Sequence, residues 1–389
     1  MGGLERAPQA PRGGSGRPGG AGTPLGTLTE GGPGSATARL AFLDGLRGAA
    51  LIFMIVNHTA RWWIDTRMTV GRYVLVYVTL TLAAPTFLFL VGFCLPLGRA
   101  RAPGAAESLG GLARRLVPRG ARIVAAGLLL NLIVFRDEPI LAGGVLQTIG
   151  LSIVAMVPAV WLLRFRWAPW LLLLVALAGY VAFVAAYPAL TALVERHPRL
   201  GLVLFYDFPP WPWVSLVLLG LVLGWAWLGV HRRSPPAAGR WLGAAAAAGA
   251  LMVVAFLAYD RWAGTPMRFG MRRDFILNHH WTPRPIALLW VLGMVLLMLA
   301  AAYWVMEHRR VRLPWLVLLG QTALALYFIH QVIAYTLVKD WLGWRFNTWP
   351  GFWLANAAFV LVVIGCGWAW RELRDRVGRA SRPALARPG

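Results

Sequence analysis

The chain has 389 residues, 58 % of them apolar and only 14 % charged, with a mean hydropathy of +0.61. Soluble domains carry about a quarter charged residues, so this composition excludes a protein that keeps most of its surface in water. The net charge of +23, from 38 basic and 15 acidic residues, invites a nucleic-acid partner, but the arginines fall between apolar segments, as membrane topology requires, and not in one patch.

Residues 1–39 hold 12 Gly and 5 Pro with little apolar content, and read as a disordered tail without the apolar run of a secretory signal peptide. Crossing about 30 Å of hydrocarbon takes roughly 20 apolar residues. Ten such stretches follow, near 40–62, 73–97, 118–135, 143–163, 167–187, 211–230, 241–259, 283–305, 314–337 and 350–370. They predict an all-α polytopic transmembrane bundle of about ten helices, forming one domain over 40–370, with a basic tail at 371–389. Placing both termini in the cytoplasm puts 25 of the 38 Lys/Arg, Arg47 included, inside and 13 outside, in line with the positive-inside rule. The inner connections are compact and basic, with Arg114, Arg115, Arg119 and Arg122 in the first. The outer segment Arg136-Asp137-Glu138 is net acidic. Cys94 and Cys366 lie inside apolar runs and read as free thiols. The Ala/Gly/Arg/Trp-rich composition points to a GC-rich bacterial genome, hence a plasma membrane.

The first helix begins Leu43-Asp44-Gly45-Leu46-Arg47-Gly48 and ends Met54-Ile55-Val56-Asn57-His58. On an ideal helix Arg47 and His58 lie about 20° apart around the axis and about 16 Å apart along it, and Asp44 about 40° from His58. A polar stripe is expected, ionic at the inner end and imidazole towards the outer one, with Leu51 and Met54 between. Ionisable groups at membrane depth face a bundle interior or an aqueous cavity. Arg47 also suits an anchor paired with Asp44, His58 an interfacial histidine, and Asn57 a bond to another helix. The ninth helix carries Gly320-Gln321-Thr322 and Tyr327-Phe328-Ile329-His330-Gln331. As a straight rod from Pro314 it lifts His330 about 24 Å, to a depth like that of His58, and a structural bond to Tyr327 is as good a reading as a catalytic one.

Gln147 and Thr148 open the fourth helix near the outer face, where neighbouring glycines favour packing. The outer loop 260–282 brings Arg272, Arg273, Asp274, His279, His280 and Trp281, more functional groups than a connector needs. His279 and His280 are adjacent and not spaced by four, with no cysteine or acidic set around them, so no metal is expected. Trp62, Trp63, Trp211, Trp213 and Trp281 fall near the outer boundary as an aromatic belt does, or as platforms for a sugar ring.

These segments resemble a known family. Leu43-Asp44-Gly45-Leu46-Arg47-Gly48 leading to Asn57-His58 resembles the first helix of the transmembrane acyltransferase superfamily, and arginine, ten residues, histidine is similar to the signature of its acyltransferase 3 branch. Ala84 to Gly92, Gly144 to Gly150, and Leu319 to Leu324 with His330 resemble the heparan-α-glucosaminide N-acetyltransferase catalytic branch and its bacterial relatives. The resemblance spans most of residues 40–338. It implies an enzyme that takes acetyl or similar acyl groups from cytosolic acyl-CoA and delivers them to a sugar-like acceptor on the far side. It places Arg47 at the donor entrance with the arginines at 114, 115, 119 and 122, and His58 at the reacting centre beside Asn57. His330 is a second catalytic candidate; Asp44, Gln147, His279, His280 and Trp281 are candidates for substrate binding. One departure stands out: animal members put the reactive histidine about three turns beyond the asparagine, where this chain has Met68.

An acyl-CoA is polyanionic and must stay cytosolic, where the arginines would attract its phosphates. The His58 imidazole would then serve as general base or acyl relay, and Asn57 would donate to the developing oxyanion. Two other classes stand beside this one. A transporter or flippase would use the same stripe as a path, though the paired halves common among transporters are not evident. A scaffold subunit would leave both histidines dispensable.

Overall fold

The computed structural model describes residues 40–65, 69–100, 108–204, 208–262 and 287–380. Among them the order is α1 (Ala41–Trp62), α2 (Thr69–Ala100), α3 (Leu109–Ile133), α4 (Val145–Leu162), α5 (Ala168–Arg196), a short α6 (Pro198–Leu204), α7 (Pro210–Arg233), α8 (Pro235–Trp262), α9 (Ala287–Tyr303), α10 (Pro314–Gln321), α11 (Ala323–Gln331) and α12 (Trp349–Ala380). A π-helical turn, Trp304–His308, continues α9, and a longer one, Val332–Trp341, continues α11. No β-strand forms among the described residues beyond a single bridge between Ile64 and Phe346. Nine of the described helices are long and apolar enough to cross a membrane, and α10 with α11 makes a tenth if counted as one broken span. The chain is an integral membrane helix bundle.

In lipid every backbone polar group must be satisfied internally, and with lipid as apolar as a leucine, close packing holds helices together. Glycine provides that closeness at the centre. A Cβ on Gly320 would fall on the carbonyl of Asp44, and one on Gly48 on the carbonyl of Leu316, so α1 and α10 touch backbone to backbone. α2 packs on α7, α3 on α4, α8 on α9, and α1 between α2 and α10. The best apolar window of α2 is 72 % buried and that of α8 only 17 %. α2 is therefore a core helix, whereas α8 turns residues such as Leu251 and Val254 towards lipid.

Two expectations are corrected. α3 starts at Leu109, capped by Ser108 Oγ accepting from Gly111 N (3.1 Å), so Arg114, Arg115, Arg119 and Arg122 ride its first turns and are not in a loop. Pro118 sits within the helix, and its missing N–H is tolerated. The stretch 314–337 is not a straight rod: α10 and α11 meet at Thr322 with an 83° bend. Thr322 donates to Leu318 O (2.8 Å), a back-bond that competes with the regular ladder, while Gln321 is drawn to Asp44 (3.3 Å). At the carboxyl end α12 runs on to Ala380, beyond the expected span limit at 370. The expected tail at 1–39, Met68, and the loop with His279, His280 and Trp281 lie outside the described residues.

Candidate functional site

The two ends of α1 carry two separate polar centres. At the amino-terminal end Arg47 pairs with Asp44 one turn away, and its second guanidinium nitrogen lies 3.3 Å from Cys94 Sγ. Asp44, 2 % exposed, also accepts from Gln321 Nε2 (3.3 Å). The Arg47 side chain keeps 27 % of its surface open. Arg119 stands within electrostatic range of Arg47, Arg115 and Arg122, so the bundle gathers four of the five expected donor arginines into one positive field. Arg114 is exposed and turns to Gly110 O of its own helix (3.4 Å). Other contacts tie helix ends to the same side: Arg99 donates to Val160 O (3.0 Å), and Phe42 packs edge-on against Trp227 and Tyr303.

Along α1 the expected stripe is interrupted. Leu51 is fully buried and Met54 is 3 % exposed. Beyond them, over the last turns of α1, a chamber of about 280 Å³ opens. Its walls come from α1 (Met54, Asn57, His58, Trp62), α2 (Ala83, Ala84), α3 with its following loop (Asn131, Phe135, Glu138), the start of α4 (Gln147) and the α11 region (Tyr327, Gln331, Tyr335, Lys339).

His58 Nδ1 and His330 Nε2 are 3.0 Å apart. The ring planes differ by only 7° and the centroids are 5.3 Å apart. That excess over the N···N distance is about one ring width, so the rings lie edge to edge in nearly one plane with a straight hydrogen bond between them. His330, with no exposed surface, has Nδ1 2.8 Å from Leu326 O, and a carbonyl oxygen only accepts. With both imidazoles neutral, the tautomers follow. His330 Nδ1–H donates to Leu326, His330 Nε2 accepts, and His58 Nδ1–H donates to it. The Nε2 lone pair of His58 is left without a partner among the described residues. The expectation of two histidines at one depth is thus sharpened: they touch, across the bend that the straight-rod reading missed. The Tyr327 and His330 rings meet at right angles (centroids 5.5 Å, 89°).

The neighbouring polar residues are held tightly. Asn57, 1 % exposed, donates through Nδ2 to Val76 O (2.8 Å) and Thr79 Oγ1 (3.2 Å) on α2. Both amide hydrogens are engaged, so the expected donation from Asn57 to an oxyanion has no free N–H behind it, and the residue turns its oxygen elsewhere. Gln147 caps its own helix, accepting from Gly144 N and donating to Ala142 O (3.2 Å each); it lines the chamber but serves the packing role weighed for it. Thr148 donates to Phe208 O. Asp44, at the far end of α1, is not part of the chamber wall.

Of the residues at the chamber, Asn131, Phe135, Gln331 and Tyr335 were not singled out from sequence, whereas Trp62 was named with the outer tryptophans. Trp62 stacks on His58 (4.9 Å, 16°) and meets Tyr335 edge-on (5.0 Å), and Phe135 packs against Tyr335 (5.1 Å). Trp62 is therefore a chamber wall more than a belt residue. Trp63 is buried and donates to Ala334 O (2.9 Å). Asn131, an amide inside an apolar helix, is the kind of costly intramembrane polar group that marks a site, and Gln331 follows the flagged His330 directly.

Compared with known proteins, residues 39–249 are similar to the sequence profile of the heparan-alpha-glucosaminide N-acetyltransferase catalytic family, and no single curated protein matches the chain. The matched stretch takes in Arg47, Asn57, His58 and Asn131 and ends before α11.

Proposed function

The chain belongs to the heparan-alpha-glucosaminide N-acetyltransferase catalytic family, a membrane acetyltransferase family, and on that premise we propose that it moves an acetyl or similar acyl group from cytosolic acyl-CoA to a sugar-like acceptor entering from the outer face. The observation that carries this reading is the His58–His330 pair opening onto a chamber at the opposite end of α1 from the arginine cluster. With both termini in the cytoplasm of a bacterial plasma membrane, Arg47, Arg119, Arg115 and Arg122, with Arg114, would face the polyanionic donor. Guanidinium groups hold phosphates in bidentate pairs, and the clustered positive potential raises the local concentration of the anion.

The donor thioester must then travel about 16 Å along α1 to reach His58, past Leu51 and Met54. At the chamber the acceptor nucleophile attacks the thioester carbonyl while His58 Nε2 takes its proton. The new bond to carbon forms, the C–S bond breaks, and the thiolate leaves with CoA. As His58 becomes imidazolium, its Nδ1–H stays on His330 Nε2, which orients the ring as the third member of a catalytic triad does. The same lone pair, unhindered by a hydrogen bond, also suits attack on the thioester to form an acyl-histidine relay.

The experiment is transfer from labelled acetyl-CoA by the purified protein in lipid vesicles, comparing wild type with His58→Ala. Acetyl-CoA turnover that needs His58 supports the enzyme. Solute uptake into vesicles without any acyl-CoA, with no His58-dependent turnover, would replace it with a transporter.

A further inference from the structure

α8 and α9 leave between them a furrow that belongs neither to the chamber nor to the arginine cluster. The two helices touch backbone to backbone where Gly249 meets Gly293: a Cβ on either would fall 2.7 Å from the carbonyl oxygen of the other. Roughly a turn and a half earlier on α8 the contact is gone, and a Cβ on Gly243 would have nothing within 4 Å. About one turn further on the gap closes again, with the Tyr303 hydroxyl 3.2 Å from where a Cβ on Gly239 would stand. The space so framed measures about 650 Å³, against about 280 Å³ for the chamber. Its apolar walls are Leu242 and Ala246 on α8 and Leu297 and Ala300 on α9.

The furrow opens sideways to lipid. Only 17 % of the apolar window of α8 and 33 % of that of α9 is buried, and Gly243 and Ala301 are exposed. A gap between membrane helices forfeits the dispersion contacts that hold a bundle together, so an apolar chain is drawn into it. At one end the furrow meets cations. Arg240 lines it from α8, exposed and with no hydrogen-bond or ion-pair partner among the described residues. His308 lines it from the π-helical turn after α9. Arg309 lies over the Trp304 ring at the rim, 4.6 Å from its centroid. Trp304, 50 % exposed, and Tyr303 form the kind of aromatic pair that marks a membrane–water boundary. No acidic residue lines the furrow among the described residues; Glu307, the acid on the same turn, stands within electrostatic range of His231 and Tyr303.

An apolar slot that ends in guanidinium groups and aromatic rings suits an amphiphile with an anionic head. A second copy of the chain suits it less, because a copy docked on the same face would bring its own arginines against these. We infer that the furrow binds one anionic phospholipid, with an acyl chain in the gap at Gly243 and the phosphate on Arg240 and His308. The lipid belongs to the leaflet at the Arg47 end of the bundle. Tyr303 packs edge-on against Phe42 at the start of α1 (5.3 Å), and Met306 lies against Gly45. A lipid seated on Tyr303 thereby supports the turn of α1 that carries Asp44 and Arg47. The site stands whether or not the chamber transfers acyl groups.

The test uses the full chain, stripped of lipid in detergent, with dioleoyl phosphatidylglycerol and dioleoyl phosphatidylcholine as probes, counted as bound adducts by native mass spectrometry. One phosphatidylglycerol is expected to bind each chain at least about tenfold more tightly than phosphatidylcholine and to raise the midpoint of thermal unfolding. Arg240→Gln is expected to weaken phosphatidylglycerol about fivefold, the worth of one cation near a lipid surface, with phosphatidylcholine unchanged. Gly243→Leu puts a side chain into the gap itself. Leucine is a better helix former than glycine and its Cβ would meet no neighbour, so this variant should fold as before and lose the tightly held lipid. Equal binding of the two lipids by the wild type would overturn the inference, as would unchanged phosphatidylglycerol binding in either folded variant. Displacement of the lipid by acetyl-CoA would overturn it in favour of a donor site. A wild-type dimer that Gly243→Leu dissociates would overturn it in favour of a second copy.

Discussion

Helix α1 is polar at both ends, but the two ends use polarity differently. At Arg47 the charges answer one another: Asp44 holds Arg47 and Gln321 at once, and Cys94 takes the second guanidinium nitrogen. At His58 the hydrogen bonds run one way, from His58 through His330 to Leu326, and the chain of donors begins at a ring whose other nitrogen keeps an open lone pair. The first arrangement would stabilise the bundle whether or not a ligand came. The second has an unfinished end facing a cavity. Polar groups inside a membrane are costly wherever they are; whether their partners are all internal separates an anchor from a site.

The largest effect that would break this contrast is at the histidine end. His58→Ala is expected to lower acyl transfer about a hundredfold to ten-thousandfold, the usual worth of a positioned general base, with acetyl-CoA binding retained. A fall in binding with no change in single-turnover rate would move the function to the wrong end of the helix. At the arginine end the effect should be smaller and of another kind. Removing Arg47 alone leaves Asp44 buried without its main partner, so the clean variant pairs Arg47→Ala with Asp44→Asn. It should raise KM for acetyl-CoA about tenfold with kcat within about threefold; an unchanged KM contradicts a donor role. The smallest effect is in the strut between α1 and α2. Thr79→Val takes one acceptor from Asn57 and should lower stability by about 1 kcal/mol, read as a small drop in the midpoint of thermal unfolding in lipid.

Much of this was legible in the sequence, and what was not has physical causes. The nine or ten apolar helices followed from the length of the apolar stretches, because the bilayer fixes how long a span must be. The Arg47-to-His58 register followed from helix geometry. The bend at Thr322 did not, since the apolar run continues through it unchanged and the distortion comes from Gly320 and Gln321 being pulled against Asp44 and Gly48. Gln331 passed as a neighbour of His330, and only the folded bundle puts it in the chamber wall. Asn131 was overlooked for a different reason: one amide in α3 has no periodic partner, and its role appears only when the α3–α4 loop folds back to occupy its hydrogens. Asn57 shows the converse, a residue correctly placed beside the histidine but with its donors already taken.

The central claim is that His58 and His330 act as one unit, and a double-mutant cycle tests it directly. Single-turnover acyl transfer is measured for His58→Ala, His330→Ala and the pair. His330→Ala alone should cost about tenfold, by freeing the tautomer of His58, and the double variant should be no slower than His58→Ala, because residues that work as a unit are not additive. Losses that multiply across the two positions, or a His58→Ala protein that transfers at the wild-type rate, would contradict it.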